Sequence, residues 1–137
     1  MENIFGIYCV DDDKLITLAV SHQLKSAFSP PGFHIEAFNN PIDALEQIEV
    51  NTFRGIHPRI LVIDFEMPEM KGDELIRKLK QKFPEAKAIM LSGNSDAIRV
   101  SDLADEGLLD FYLSKPWSRE EIIRICNSCL PLNRKLA

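Results

Sequence analysis

Residues suited to phosphoryl chemistry stand at the ends of four short apolar runs in this 137-residue chain. Ile7-Tyr8-Cys9-Val10 leads into Asp11-Asp12, Ile60-Leu61-Val62-Ile63 into Asp64, Ile89-Met90-Leu91 into Ser92, and Phe111-Tyr112-Leu113 passes through Ser114 to Lys115-Pro116. Carboxylates, a hydroxyl and an ammonium are what a divalent cation and a phosphoryl group need around them. These residues are far apart in sequence, so only a fold that gathers strand ends makes them one site. Apolar runs of this length, bounded by polar residues, read as buried strands of a parallel sheet, and such sheets bind ligands at the carboxyl ends of their strands.

The elements between the runs fit that requirement. Lys14 to Ala27 carries Leu15, Leu18, Ala19, Val20 and Leu24 at helical spacing, and Ser29-Pro30-Pro31-Gly32 ends the helix. Phe33 to Phe38 reads as a second strand. Asn40-Pro41 opens a second helix, with Asn as cap and Pro at the first helical position, and Ile42, Leu45, Ile48 and Val50 are expected to face the sheet. Asn51 to Pro58 reads as a connection to the third strand, which ends at Asp64. After the loop Met67 to Gly72, a helix is expected from about Asp73 to Phe83, where Pro84 stops it. A fourth strand, Ala86 to Leu91, then gives way to Ser92-Gly93-Asn94-Ser95 and a helix over Asp96 to Glu106. Strand five is Asp110 to Leu113, and Ser118-Arg119-Glu120-Glu121 is a capping-box start for a last helix that closes by Pro131. Strand and helix alternate five times, the pattern of an open α/β sheet.

Size and charge narrow the function. The length fits one domain, expected over residues 1–131, with 132–137 as a tail or the start of a linker. A formal charge of −5 disfavours a nucleic-acid surface, and a cationic partner is the easier expectation. No apolar stretch reaches the roughly 18 residues of a membrane span. Cys9, Cys126 and Cys129 do not make a disulfide framework, and a reducing cytoplasm fits them. Cys126-Asn127-Ser128-Cys129 spells a CxxC, but it lies near a helix carboxyl end, where the dipole raises a thiol pKa; the cysteines read as helix-face thiols.

Taken together, Val10-Asp11-Asp12, Ile63-Asp64-Phe65-Glu66-Met67-Pro68 with Gly72, Leu91-Ser92-Gly93, and Tyr112-Leu113-Ser114-Lys115-Pro116 resemble the receiver domain of two-component response regulators. The resemblance covers nearly the whole chain. It implies a flavodoxin-like (βα)5 fold, with helices on both faces of a five-stranded parallel sheet in strand order 2-1-3-4-5. It implies that Asp64 accepts a phosphoryl group from the phosphohistidine of a sensor histidine kinase or histidine phosphotransfer protein. Mg2+, with Mn2+ as a substitute, would be bound directly by Asp12, with Asp11 holding a metal-bound water and Asp64 and the backbone carbonyl of Glu66 completing the oxygen shell. Lys115, Ser92 and the backbone at Gly93 and Glu66 would meet the phosphoryl oxygens, and Ser92 and Tyr112 would act as the switch pair. On this resemblance the chain is not an enzyme with its own substrate. It is a cytoplasmic regulatory domain that assists its own phosphorylation and dephosphorylation, and it changes the face formed by helix four, strand five and helix five. A downstream protein or output domain, or a second copy in a homodimer, would read that face, without direct binding of nucleic acid or membrane.

Several residues are assigned around that core. Asp13 is expected to cap or start helix one, leaving Asp11 and Asp12 as the acid pair. Glu66 and Asn94 stand where the family varies the side chains that tune dephosphorylation; Glu66 either orders the hydrolytic water or repels the phosphoryl group. Trp117 is expected to anchor the last helix, and His22, His34 and His57 read as surface or partly buried side chains. Two competing functions keep part of the pattern: a receiver-like interaction module independent of phosphorylation, and an aspartyl-phosphate phosphatase. The first is disfavoured because the acceptor, acid pair and lysine are all present. The second is disfavoured because Asp64-Phe65-Glu66 lies mid-chain, with no capping insertion.

Overall fold

The computed structural model describes residues 4–93 and 97–136. Five parallel strands, β1 (Ile4–Val10), β2 (Phe33–Phe38), β3 (Ile56–Asp64), β4 (Lys87–Ser92) and β5 (Phe111–Ser114), form one sheet in the order β2-β1-β3-β4-β5. This is the flavodoxin-like arrangement, with its topological reversal beside β1. The helices are α1 (Lys14–Lys25), α2 (Pro41–Phe53), α3 (Gly72–Lys82), α4 (Ala97–Asp105) and α5 (Arg119–Ser128).

Alternation along the strands splits the core in two. Tyr8, Leu61, Ile63 and Met90 point to one face and pack with Ile48 of α2, Leu75 of α3 and Leu103 of α4. Ile7, Cys9, Val62 and Ile89 point to the other and pack with Val20 of α1 and Ile122 and Cys126 of α5. Successive side chains of a strand face opposite ways, so a strand covered on both faces must be apolar throughout.

Helical spacing alone does not separate the apolar residues that pack inward from those left exposed; of the four expected to face the sheet in α2, Leu45 and Ile48 do so. In α1 the buried set is Thr17, Val20 and Leu24, while Leu15 and Leu18 are 76% and 68% exposed. Both sets have helical spacing, and docking on the sheet selects the one that turns inward; the helix start is capped by Asp13, whose Oδ1 accepts from Leu15 N at 2.9 Å. In α2, Ala44, Ile48 and Asn51 are buried, whereas Ile42 and Val50 lie exposed. Asn40 does cap that helix, accepting from Ile42 N and Asp43 N. The expected connection over 51–58 is shorter: α2 continues to Phe53, β3 begins at Ile56, and Gly55 makes the turn at φ 87°. Asn51 disguised this because a polar residue reads as the end of an apolar face. Its amide is buried because it donates to Tyr8 Oη at 3.1 Å and Glu36 Oε1 at 3.0 Å.

The last helix starts as expected, with Ser118 Oγ accepting from Glu121 N and Glu121 accepting from Ser118 N. Residues beyond Pro131 form a 3-10 turn, Leu132–Arg134. The Arg134 guanidinium lies 4.7 Å and 5.5 Å from the ring centres of Phe5 and Phe33 and donates to the Gly32 carbonyl. No helix among the described residues is long and apolar enough to cross a membrane.

Candidate functional site

Sheet register brings the chemistry-bearing residues to one level. Val10 pairs with Ile63, so Asp11 and Asp64 leave neighbouring strands side by side. Asp64 pairs with Leu91, and Ser92 with Ser114, which carries Lys115 to the same edge. Backbone bonds fasten each exit: Asp11 N to Phe38 O, Phe65 N to Leu91 O, and Lys115 N to Ser92 O.

The three carboxylates converge. One oxygen each from Asp11, Asp12 and Asp64 lies within 4.8 Å of the others. Asp11 and Asp64 are buried and Asp12 is exposed. Asp11 Oδ1 accepts from Asp13 N at 2.9 Å, but Asp11 Oδ2 is buried without a hydrogen-bond partner among the described residues. Burial, with added repulsion from Asp64 and Asp12, raises the Asp11 pKa to about 6 against the pull of the Asp13 N–H and of Lys115. A buried carboxylate oxygen aimed at two like charges is costly as it stands. A hard, oxygen-seeking dication removes that cost, so the residues fit a Mg2+ site.

One cation is already present. Lys115 Nζ donates to Asp64 Oδ1 at 2.7 Å and lies 3.8 Å from Asp11 Oδ2. Burial works against the ammonium, but the bond to Asp64 and the charges of Asp64, Asp11 and Asp12 prevail and raise its pKa above the usual lysine value.

The other expected site residues surround this centre without all pointing into it. Ser92 is buried, and its hydroxyl donates to the Gly93 carbonyl at 3.3 Å. Gly93 is exposed, and a Cβ there would meet nothing within 4 Å, so packing does not demand its smallness. Glu66 is turned to Lys71, with Oε2 2.5 Å from Nζ, and with Asp12, Met67, Pro68 and Lys71 it lines an open depression of ≈ 310 Å³. Tyr112 is 40% exposed on the edge strand, its Oη accepting from Ser114 Oγ at 3.3 Å. Asn94 lies outside the described residues.

The flanking assignments hold. Asp13 caps α1. Trp117 Nε1 donates to Gln23 Oε1 at 3.1 Å, so it ties the start of α5 to α1. His22 and His57 are exposed, and His34 is half-buried against Glu36 at 2.8 Å. All three cysteines are buried free thiols with pKa values raised by burial, that of Cys129 to about 11.

Two contacts of the loop that follows Asp64 were not anticipated from the sequence. A Cβ at Gly72 would come 2.3 Å from the Asp64 carbonyl and 2.9 Å from Phe65 Cα, and Gly72 N donates to Phe65 O at 2.8 Å. Gly72 therefore closes the loop that follows Asp64. Asp73, next in the chain, is buried and bound by Arg77 and Arg99. Only the Arg four residues on, at helical spacing, was a signal for this.

The family model for the response regulator receiver domain matches residues 7–127. The chain is 29% identical over 119 residues to the DNA-binding transcriptional regulator NtrC of Escherichia coli (strain K12), covering 87% of this chain and 23% of NtrC. It is 33% identical over 118 residues to the response regulator MprA of Mycobacterium leprae, covering 85% of this chain and 47% of MprA. The chain thus spans between about a quarter and half the length of these relatives. Among solved structures, a response regulator receiver domain protein from Clostridium thermocellum superposes with a TM-score of 0.77 at 22% identity, covering 96% of each chain.

Proposed function

Because this chain belongs to the response regulator receiver domain family, we propose that it is a phosphorylation-driven switch whose acceptor is Asp64. The observation that carries this reading is the meeting of Asp11, Asp12 and Asp64 within 4.8 Å, with Lys115 on Asp64 at 2.7 Å. The donor is the phosphohistidine of a sensor histidine kinase or phosphotransfer protein, and the setting is the cytoplasm. Asp11, Asp12, Asp64 and the Glu66 carbonyl would hold Mg2+, which would supply positive charge to offset the phosphoryl oxygens.

The protein's own groups do the rest. The Asp64 carboxylate attacks phosphorus, forming an O–P bond as the N–P bond of the donor breaks and its electron pair returns to the imidazole. Lys115 transfers its ammonium from Asp64 to a phosphoryl oxygen, a point charge suited to charge spread over three oxygens. The Ser92 hydroxyl leaves the Gly93 carbonyl and donates to a second, and the backbone N–H groups near Glu66 and Gly93 serve the remainder. Movement of Ser92 opens space for Tyr112 to turn inward and alters the face of α4, β5 and α5, which a downstream protein, an output domain or a second copy then reads. The domain occupies residues 1–131, with 132–137 as a tail or the start of a linker.

Wild-type protein and Asp64→Asn are incubated with Mg2+ and beryllofluoride, a phosphoryl mimic, and followed by Trp117 fluorescence. Magnesium-dependent binding by the wild type and none by Asp64→Asn is expected. Indifference of the wild type assigns the chain to phosphorylation-independent interaction modules instead.

A further inference from the structure

The Arg99 guanidinium joins α4 to both ends of the acceptor loop. Its Nη2 donates to Asp73 Oδ2 at 3.1 Å, and its Cζ lies 5.1 Å from the ring centre of Phe65. Phe65 directly follows Asp64 and is 2% exposed; Asp73 directly follows Gly72 and is 4% exposed. Since Gly72 N is bonded to Phe65 O, the two residues that Arg99 touches are the ends of one closed loop.

A second tether lies further along the same pair of helices. Arg77 of α3 donates to the same Asp73 oxygen at 3.1 Å and to both oxygens of Glu106, just past α4, at 3.3 and 2.5 Å. The result is a chain of alternating charges, Glu106, Arg77, Asp73 and Arg99, that ends on the ring beside the acceptor. Burial opposes ionisation of Asp73, but Arg99 and Arg77 overcome it and hold its carboxyl below the usual range. An isolated surface ion pair contributes little, whereas a carboxylate removed from water and held by two guanidiniums is directional.

We infer that Arg99 is a positioning residue that couples α4 to the acceptor loop, its bridge to Asp73 and Phe65 holding α4 in the resting arrangement. The inference rests on the reading of Asp64 as phosphoacceptor. Addition of a phosphoryl group to Asp64 displaces the loop, the loop carries Phe65 and Asp73, and the bridge yields. A bridge present only at rest opposes switching, and its loss raises the fraction of protein in the binding-competent state.

The test compares wild type, Arg99→Ala, Arg99→Lys and Asp73→Asn. Two quantities are measured: amide hydrogen exchange over residues 98–105 in resting protein, and the Kd for beryllofluoride with Mg2+. Arg99→Ala is expected to exchange α4 amides faster and to bind beryllofluoride about three- to tenfold tighter. Asp73→Asn should move both in the same direction, and Arg99→Lys, which keeps charge but loses the planar stack, should fall between. A merely structural role would weaken binding or leave it unmoved while exchange rises. Either result, or unchanged exchange, overturns the coupling while wild-type binding leaves the phosphoacceptor reading intact. Absence of magnesium-dependent binding by the wild type overturns both.

Discussion

Lys115 Nζ sits 2.7 Å from Asp64 Oδ1, so the ammonium already occupies the carboxylate proposed as the phosphoacceptor. On the proposed reading the pair places the cation where phosphoryl charge would appear, with no approach from solvent required. It also balances part of the repulsion among Asp64, Asp11 and Asp12.

Replacing Lys115 with Ala is therefore expected to slow phosphorylation of Asp64 by about a hundredfold, the scale for losing one pre-placed charge-stabilising group. Radiolabelled phosphotransfer or beryllofluoride binding measures it. The variant's melting temperature should also rise more on adding Mg2+ than that of the wild type, because its carboxylates lack their internal counter-charge.

Asp73 predicts an acid limb in stability. Its carboxyl titrates below the usual value when folded, so its contribution is complete above the unfolded pKa and is lost as pH falls through the folded one. Urea unfolding of the metal-free protein between about pH 5 and pH 2 should show stability falling with pH. Asp73→Asn should flatten that limb and cost about 2 kcal/mol at pH 7, where two charge-assisted bonds are weakened.

Glu66 is held by Lys71 at the rim of the site, and the pair is largely exposed. Its effect is accordingly expected on the lifetime of the phosphoryl group and not on stability. Glu66→Ala should change the decay rate severalfold, and Lys71→Ala should change it only while Glu66 is present. Equal effects of Lys71→Ala in both backgrounds, read in a decay assay, would show that the pair is idle. Glu66→Ala combined with Asn94→Ala and unchanged decay would remove both residues from this role.

The two glycines of the site separate by packing. Gly72→Ala must displace backbone at Asp64 and Phe65 and should cost about 2 kcal/mol, an overpacking penalty. Gly93→Ala meets open space and should stay within about 0.5 kcal/mol of wild type. Denaturant midpoints of the two variants decide this.

What the sequence disclosed was whatever one element declares by itself. Strand ends beside Asp11, Asp64, Ser92 and Ser114, the Asn40 and Asp13 caps, and the Ser118 capping box each depend on a few adjacent residues. Features that need two elements were hidden. Leu15 and Leu18 satisfy helical spacing as well as Val20 and Leu24 do, and only the docking of α1 on the sheet separates the two stripes. Asn51 is core because Tyr8 and Glu36, far away in sequence, supply its partners. The hold of Lys71 on Glu66 and of Arg99 on Asp73 likewise becomes visible only after the loop and helices are placed.

The separation of Asp64 and Lys115 by 51 positions also sets an order of assembly. Synthesis runs from the amino end, so the acids are made well before the base that faces them. Until β5 docks, a nascent sheet carries this repulsion without the Lys115 ammonium to offset it. Metal ions in the surrounding fluid can supply that relief, and they would then serve first as a folding aid and only afterwards as a reaction partner.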